Sequence, residues 1–378
     1  MRIAVLPFNA AEGASEPLAR QLAVLLSELL RLAEAGDEVG AINYMAQEEK
    51  DGVTRFVLAN PTQDLNEPEL LREIAQNSEP DVIIDGLLKG TVDSGSLTIR
   101  RFSKVYTSPA SEKTITWQKG GFLPVLADVF IDFIRQCEGD LPEERTTTEA
   151  MFQTADDAAF ANWLTALDGL QYMDRARGMV QEGWEPNSSI DAALAAAESD
   201  PNWVAPVNVA LELCRRCFQF QLGSPELVQT TLEKLISQKP EDALMHFQIG
   251  AFYSDAGNPQ RGSELLEKAG RLEPNQQAIW ARLGLAQLQL NMPVNAERSF
   301  RKSIELQDAE SFDPVAWDYL SQVLNGTNRG HEVTPLWKDL VKAQPQNPIA
   351  HARLAQTYLA QEQREAAIKS LESSLETL

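Results

Sequence analysis

Cys214 and Cys217 form a C-x-x-C pair, the spacing used by redox dithiols and by half of a tetrahedral zinc site. Neither chemistry is completed. No second pair or neighbouring histidine brings the ligands to four, and the pair falls inside a predicted helix rather than at the N-terminus, where the helix dipole would favour a thiolate. The residues read as buried helix packing. His246 and His351 occupy positions that elsewhere in the chain hold tryptophan, so they read as interface residues between helices, not ligands. The loop Asn9 to Glu16 sets Gly13 and Ser15 between a strand and a helix start, a place where backbone amides meet anions. It lacks a glycine-rich cradle, Glu12 and Glu16 would repel an anion, and Ser15 is expected to cap the helix instead. Gly86 and Gly90 have no phosphate-loop spacing. Carboxylates abound, yet nothing in the pattern sets two of them around one substrate. The expectation is a protein without enzymatic activity, metal or cofactor.

Composition narrows the partners. The 378 residues carry a net charge of -22, and both the first 140 residues and the remainder are acidic. Phosphate backbones and anionic lipid heads would be repelled over a Debye length of about 8 Å at physiological salt, so neither nucleic acid nor membrane is expected. No run approaches the roughly 18 apolar residues of a membrane helix, and Arg2 to Phe8 reads as a strand where a secretory signal would lie. Three cysteines suit a reducing compartment. A cytoplasmic location is the expectation.

The positions that recur are structural. His246, Ile249, Gly250 and Tyr253 are answered by Trp280, Leu283, Gly284 and Gln287, then by Trp317, Leu320, Ser321 and Leu324, then by His351, Leu354, Ala355 and Tyr358, at spacings of 34, 37 and 34. Large, aliphatic and small residues at offsets 0, 3 and 4, with an aromatic at offset 7 in two of the four, describe the first of two antiparallel helices in a stacked repeat. The small residue sits where the helices cross. Ala296 and Phe300, at offsets 16 and 20 from Trp280, belong to the second helix. Pro240, Pro274 and Pro345 separate units, since proline cannot donate the bond an interior helix position requires. Trp280, Tyr253, Phe300 and Trp317 are expected in the core.

Upstream the texture changes. Arg2–Phe8, Val39–Tyr44, Asp81–Leu88, Ser96–Arg101 and Lys113–Gln118 read as strands, and Pro17–Leu32, Pro68–Gln76 and Leu123–Gln136 as helices, which predicts a mixed sheet covered by helices. The predicted organisation is an α+β or α/β domain over 1–140, a linker over 141–152 and an all-α solenoid over 153–378. Within the solenoid, repeats are degenerate over 153–240 and clear over 242–378. In the first degenerate repeat the turn is lengthened by Gly178 to Asn187.

The repeated pattern resembles the tetratricopeptide repeat. The N-terminal Ile3-Ala4-Val5-Leu6-Pro7-Phe8 and the later Asp81-Val82-Ile83-Ile84-Asp85-Gly86 resemble the TolB amino-terminal-like domain. Ser199 to Trp203 also resembles the end of the first repeat in chains that join the two. The resemblance implies an adaptor in bacterial signalling or complex assembly that binds a protein or peptide. Members that hold acidic chaperone tails use a Lys and Asn set, for which this chain has Phe247 and Ala251; that clamp is absent.

First helices line the concave side of such a stack. The positions beside each offset-0 residue make Phe247, Gln248, Arg282, Tyr319 and Arg353 the expected groove, suited to an extended or helical peptide carrying an acidic group. In the last helix Ile368, Leu371, Leu375 and Leu378 form an apolar stripe with no following helix to cover it, so it is expected to mediate self-association. The alternative reading is a ligand-sensing regulator whose N-terminal domain binds a small molecule.

Overall fold

Aliphatic runs build the strands, and one proline divides the first of them. In the computed structural model, which describes residues 1–42, 45–50, 52–58, 64–103, 107–307 and 312–376, the strands are β1 (Arg2–Val5), β2 (Asn9–Ala11), β3 (Glu38–Ala41), β4 (Met45–Lys50), β5 (Val53–Leu58), β6 (Val82–Thr91), β7 (Ser94–Ser103) and β8 (Ser111–Gln118). The expected strand Arg2–Phe8 is interrupted around Pro7, which has no N–H to give to a ladder. β1 and β2 instead pair in turn, both parallel, with the long β6. The main sheet runs β3-β1-β6-β7-β8, parallel across its first three strands and antiparallel across its last three. Residues 43 and 44, the end of the expected second strand, lie outside the described residues.

Two helices cover one face of this sheet. The amphipathic α1 (Glu16–Leu32) and α3 (Phe122–Gln136) pack against Ile3, Val5, Val82, Ile84, Leu97 and Ile99. On the other face α2 (Pro68–Ser78) brings Leu71 to Ala4, Leu6, Ile83 and Phe102. Ser15 caps α1 by accepting from the Leu18 amide at 3.3 Å, as its position predicted.

The segment expected as a linker is part of the core. Residues 141–152 form a 3-10 turn at Glu143–Arg145 and a short helix, α4 (Thr148–Phe152), capped by Thr147. Leu141, Met151 and Phe152 are buried in the same cluster as the sheet, and Phe152 packs on Phe160 with ring centroids 4.8 Å apart. Three apolar side chains in an otherwise polar stretch suffice to dock it. The helices that follow are α5 (Asp157–Ala176), α6 (Asn187–Ser199), α7 (Ala205–Phe220) and α8 (Pro225–Gln238). Together with the sheet they make one compact unit, Met1–Gln238, so the boundary falls after residue 238 rather than near 140.

Polar contacts also tie α1 to α5 and the hairpin β4–β5 to the α5–α6 turn inside this unit. Arg20 on α1 meets Asp168 on α5 at 2.7 Å, with both side chains almost wholly buried, and Gln21 also donates to Asp168 at 3.1 Å. The hairpin β4–β5 lies off the main sheet and reaches the lengthened α5–α6 turn, where Phe56 pairs with Val180 and the Phe56 amide donates to the Met179 carbonyl at 2.8 Å. The long turn is therefore a strand-like docking edge. This hairpin was absent from the sequence reading because β4, Met-Ala-Gln-Glu-Glu-Lys, has no apolar alternation and is mostly exposed.

The second unit, Lys239–Leu378, contains four helix pairs. They are α9 (Ala243–Asp255) with α10 (Pro259–Leu272), α11 (Gln277–Gln289) with α12 (Pro293–Glu305), α13 (Pro314–Gly326) with α14 (Val333–Ala343), and α15 (Pro348–Ala360) with α16 (Arg364–Glu376). Asp242, Asn258, Asp313 and Asn347 cap four of these helices through their side chains. The crossing of α9 and α10 is close: a Cβ on Gly262 would meet the Gly250 carbonyl oxygen at 2.7 Å. Phe300, Trp317 and Tyr253 are buried as expected, whereas Trp280 is half-buried and lies across Gly270.

Candidate groove on the first helices

A helix presents residues three and four apart on one face, and this spacing lays out the surface of the second unit. From Arg282 the face of α11 continues to Leu285 and Gln289, from Tyr319 that of α13 continues to Gln322 and Asn325, and from Arg353 that of α15 continues to Gln356 and Ala360. Two neighbouring cavities open along these residues. One of about 290 Å³ is lined by Ala251, Ser254 and Asp255 of α9, Arg282, Leu285, Leu288 and Gln289 of α11, and Tyr319 of α13. The other, of about 570 Å³, lies between α13, α14 and α15, with Gln322, Asn325, Trp337, Arg353 and Gln356 in its wall.

The charges of this surface are internally balanced. Arg282 makes a two-pronged contact with Asp255, both distances 3.2 Å, and Arg353 donates to Asp318 at 2.7 Å. Among the described residues, these two arginines and two aspartates are the charged side chains lining the two cavities. Each of the two arginines is thus paired with a carboxylate on the preceding first helix. Tyr319 is held by stacking on Phe300, with centroids 5.8 Å apart and planes 12° apart.

Of the residues expected in the groove, Arg282, Tyr319 and Arg353 line the cavities. Phe247 does not; it packs against Leu266, Leu283 and Ala286. Gln248 lines neither cavity. The residues missed, Leu285, Leu288, Gln322, Asn325 and Gln356, were marked by the i+3 and i+4 continuation of the face.

The stripe on α16 is exposed at Ile368, Leu371 and Leu375, while Leu378 lies outside the described residues. Cys214 and Cys217 are buried in α7, and burial pushes both thiols up, that of Cys217 to about 11. The Nε2 atoms of His246 and His351 lie 2.8 and 2.9 Å from the carbonyl oxygens of Pro240 and Pro345. Among the described residues no group of three metal-ligating side chains converges, and no helix is long and apolar enough to cross a membrane.

The family model of the tetratricopeptide repeat matches residues 349–377, the pair α15–α16. The match covers the last of the four helix pairs described in the second unit. The pair α15–α16 matches the tetratricopeptide repeat, and the helix pairs before it are TPR-like. A TPR repeat-containing protein of Pseudomonas aeruginosa is 36% identical over 55 residues, 15% of this chain and 52% of the relative. The chain thus spans about half the length of that curated relative.

Among solved structures of similar repeats, PilF of Pseudomonas aeruginosa is 18% identical with a TM-score of 0.38, covering 57% of this chain and 89% of that one. YrrB, described as a TPR protein with an unusual peptide-binding site, is 18% identical with a TM-score of 0.35, covering 50% and 93%. MamA is 18% identical with a TM-score of 0.34, covering 40% and 87%. In this chain the TPR-like helix pairs wall the smaller cavity with α9, α11 and α13 and the larger with α13, α14 and α15.

Proposed function

We propose that this chain is a non-enzymatic interaction scaffold that holds a protein or peptide partner along the first helices of its tetratricopeptide repeats, as an adaptor in bacterial signalling or complex assembly. The observation that carries the reading is the pair of cavities along α11, α13 and α15, whose walls include the exposed Gln289, Gln322, Asn325 and Gln356. Arg282, Tyr319 and Arg353 belong to this face, with Gln322 and Gln356 between them. The sheet topology of the first unit and its Asp-Gly strand support a TolB-like docking domain ahead of the repeats.

A photo-crosslinking side chain tests the face directly. Placed at Gln322 or Gln356 it is expected to capture a discrete partner that the same group at Lys302, on a second helix, does not. Equal capture from both faces, or none from either, overturns the assignment.

A second reading, ligand sensing, has its own observation within the first unit. A cavity of about 510 Å³ lies between the turns at Gly13 and Gly90 and the helices α5 and α6, with Asn162, Thr165, Ser188 and Asp191 around it. Thermal shift against a metabolite panel separates the readings, because a site filled at 100 times its dissociation constant stabilises by about 2.7 kcal/mol. Self-association through Ile368, Leu371 and Leu375 is also proposed. Three aliphatic side chains fall short of the roughly 20 residues a side of a stable interface, so the contact would be weak. Light scattering that gives the same monomeric mass at high concentration for wild type and Leu371→Glu, Leu375→Glu protein removes it.

A further inference from the structure

The chemistry of the two cavities specifies the partner more narrowly, and this step rests on the scaffold reading above. We infer that the groove takes an extended peptide segment without net negative charge, anchored by one aliphatic or aromatic side chain in the smaller cavity and held along its main chain by carboxamides in the larger one.

Three features lead there. The smaller cavity, about 290 Å³, is walled by Leu285, Leu288 and the ring of Tyr319, with Ala251 also in its wall. An apolar side chain entering it exchanges water for hydrocarbon contact on several sides, the usual source of anchoring affinity. The larger cavity shows Gln322, Asn325 and Gln356, all exposed to solvent; the Gln356 oxygen accepts from Arg353 at 3.1 Å, and its amide group remains as a donor. A carboxamide offers both a donor and an acceptor, which matches the N–H and C=O of an extended chain whatever its side chains. Tyr319 and Gln322 are three residues apart on α13, about 4.5 Å along its axis, so one short peptide reaches both.

Charge decides the rest. An acidic side chain would have to displace Asp255 from Arg282 or Asp318 from Arg353, leaving a carboxylate unpaired, and would approach a chain of net charge -22. Neither penalty meets a neutral or basic segment. A helix as occupant would bury its own main-chain groups and leave the carboxamides without the partners they are suited to.

Random nine-residue peptides displayed on phage and selected on the full chain test this. The enriched peptides, made with a fluorescent label, are then titrated by anisotropy. The expected consensus has one Leu, Met or Phe and few Asp or Glu. Affinity should fall at least tenfold in Leu285→Gln and in Gln289→Trp, the second of which fills the cavity from its exposed rim and leaves the core intact. A smaller loss of severalfold is expected in the Gln322→Ala, Gln356→Ala pair.

Enrichment of acidic peptides overturns the inference, as does binding that Gln289→Trp and the double alanine variant leave unchanged. Apolar residues recurring at spacings of three and four would replace the extended occupant by a helix and also overturn it. A dimer of the chain itself, abolished by the same variants, would assign the groove to a second copy. Absence of any peptide binding sinks this inference alone; the scaffold reading then stands or falls on the crosslinking at Gln322.

Discussion

Trp280 donates its indole N–H to the carbonyl oxygen of Pro274, six residues earlier, at 2.8 Å. His246 with Pro240 and His351 with Pro345 repeat the same relation. The residue that opens each of these repeats thus holds the proline that closes the one before, and the two roles read separately in the sequence are one contact. In the repeat with the longer spacing, Trp317 donates instead to the Gln307 side chain at 2.8 Å.

Removing this tie while keeping the ring separates bond from bulk. Trp280→Phe should cost about 1 kcal/mol, the net value of one hydrogen bond. Trp280→Ala should cost about 3 kcal/mol, the low end for a large aromatic because the ring is half-buried. Native-state hydrogen exchange of α10 and α11 amides reads both, and a Trp280→Phe variant that loses no protection would remove the bond from the account.

The small residue at each helix crossing gives a second test. A Cβ on Gly284 would lie 2.6 Å from the ring of Phe300, whereas one on Gly326 meets nothing within 4 Å. Gly284→Val is expected to destabilise by about 1–3 kcal/mol through overpacking, and Gly326→Ala to stabilise by about 0.5 kcal/mol through helix propensity. Urea denaturation distinguishes them by the sign of the midpoint change.

The ion pair between α1 and α5 is buried at both ends, with side chains 4% and 3% exposed. Arg20→Met alone leaves the Asp168 carboxylate uncompensated and should cost about 3–5 kcal/mol; Arg20→Met with Asp168→Leu should recover most of it. Thermal unfolding of the two variants checks the order, and a double variant no better than the single one contradicts it.

The hairpin contact has a hinge in one hydroxyl. Tyr172 donates to the Phe56 carbonyl and accepts from the Gln181 amide at 2.7 Å. Tyr172→Phe should release residues 53–58 from the long turn. Faster hydrogen exchange at Phe56 is expected, with α5 and α6 protection unchanged.

The cysteines carry a pH signature. Burial raises the Cys217 thiol from 9.0 to about 11 and raises Cys214 as well, so the folded state favours the protonated form. Their contribution to stability is complete below pH 9 and declines as pH rises toward 11, where the unfolded chain releases protons first. Thiol labelling at pH 8 should therefore wait on unfolding; rapid labelling of the native chain would show accessible thiolates.

Much of the second unit was legible because its pattern is local. Gly284, Ala296 and Phe300 recur at fixed offsets, and each constrains only its own helix pair. The core of the first unit was half legible. Ile3, Val82 and Leu97 announced strands, yet Leu141, Met151 and Phe152 sit among polar residues and gave no periodic signal before the sheet received them. In the groove, Arg282 and Arg353 were identifiable as outward residues, while their neutrality was not. Their partners stand 27 and 35 residues away in sequence.

Periodicity, proline placement and capping residues, all properties of short stretches, determined from the chain alone that paired helices stack after a mixed sheet. Only the tertiary structure decided which charges cancel, that Arg20 and Asp168 tie α1 to α5, and that a long turn serves as an edge for a hairpin. A period is written within one helix pair. An ion pair across helices depends on distances that exist only once both are packed.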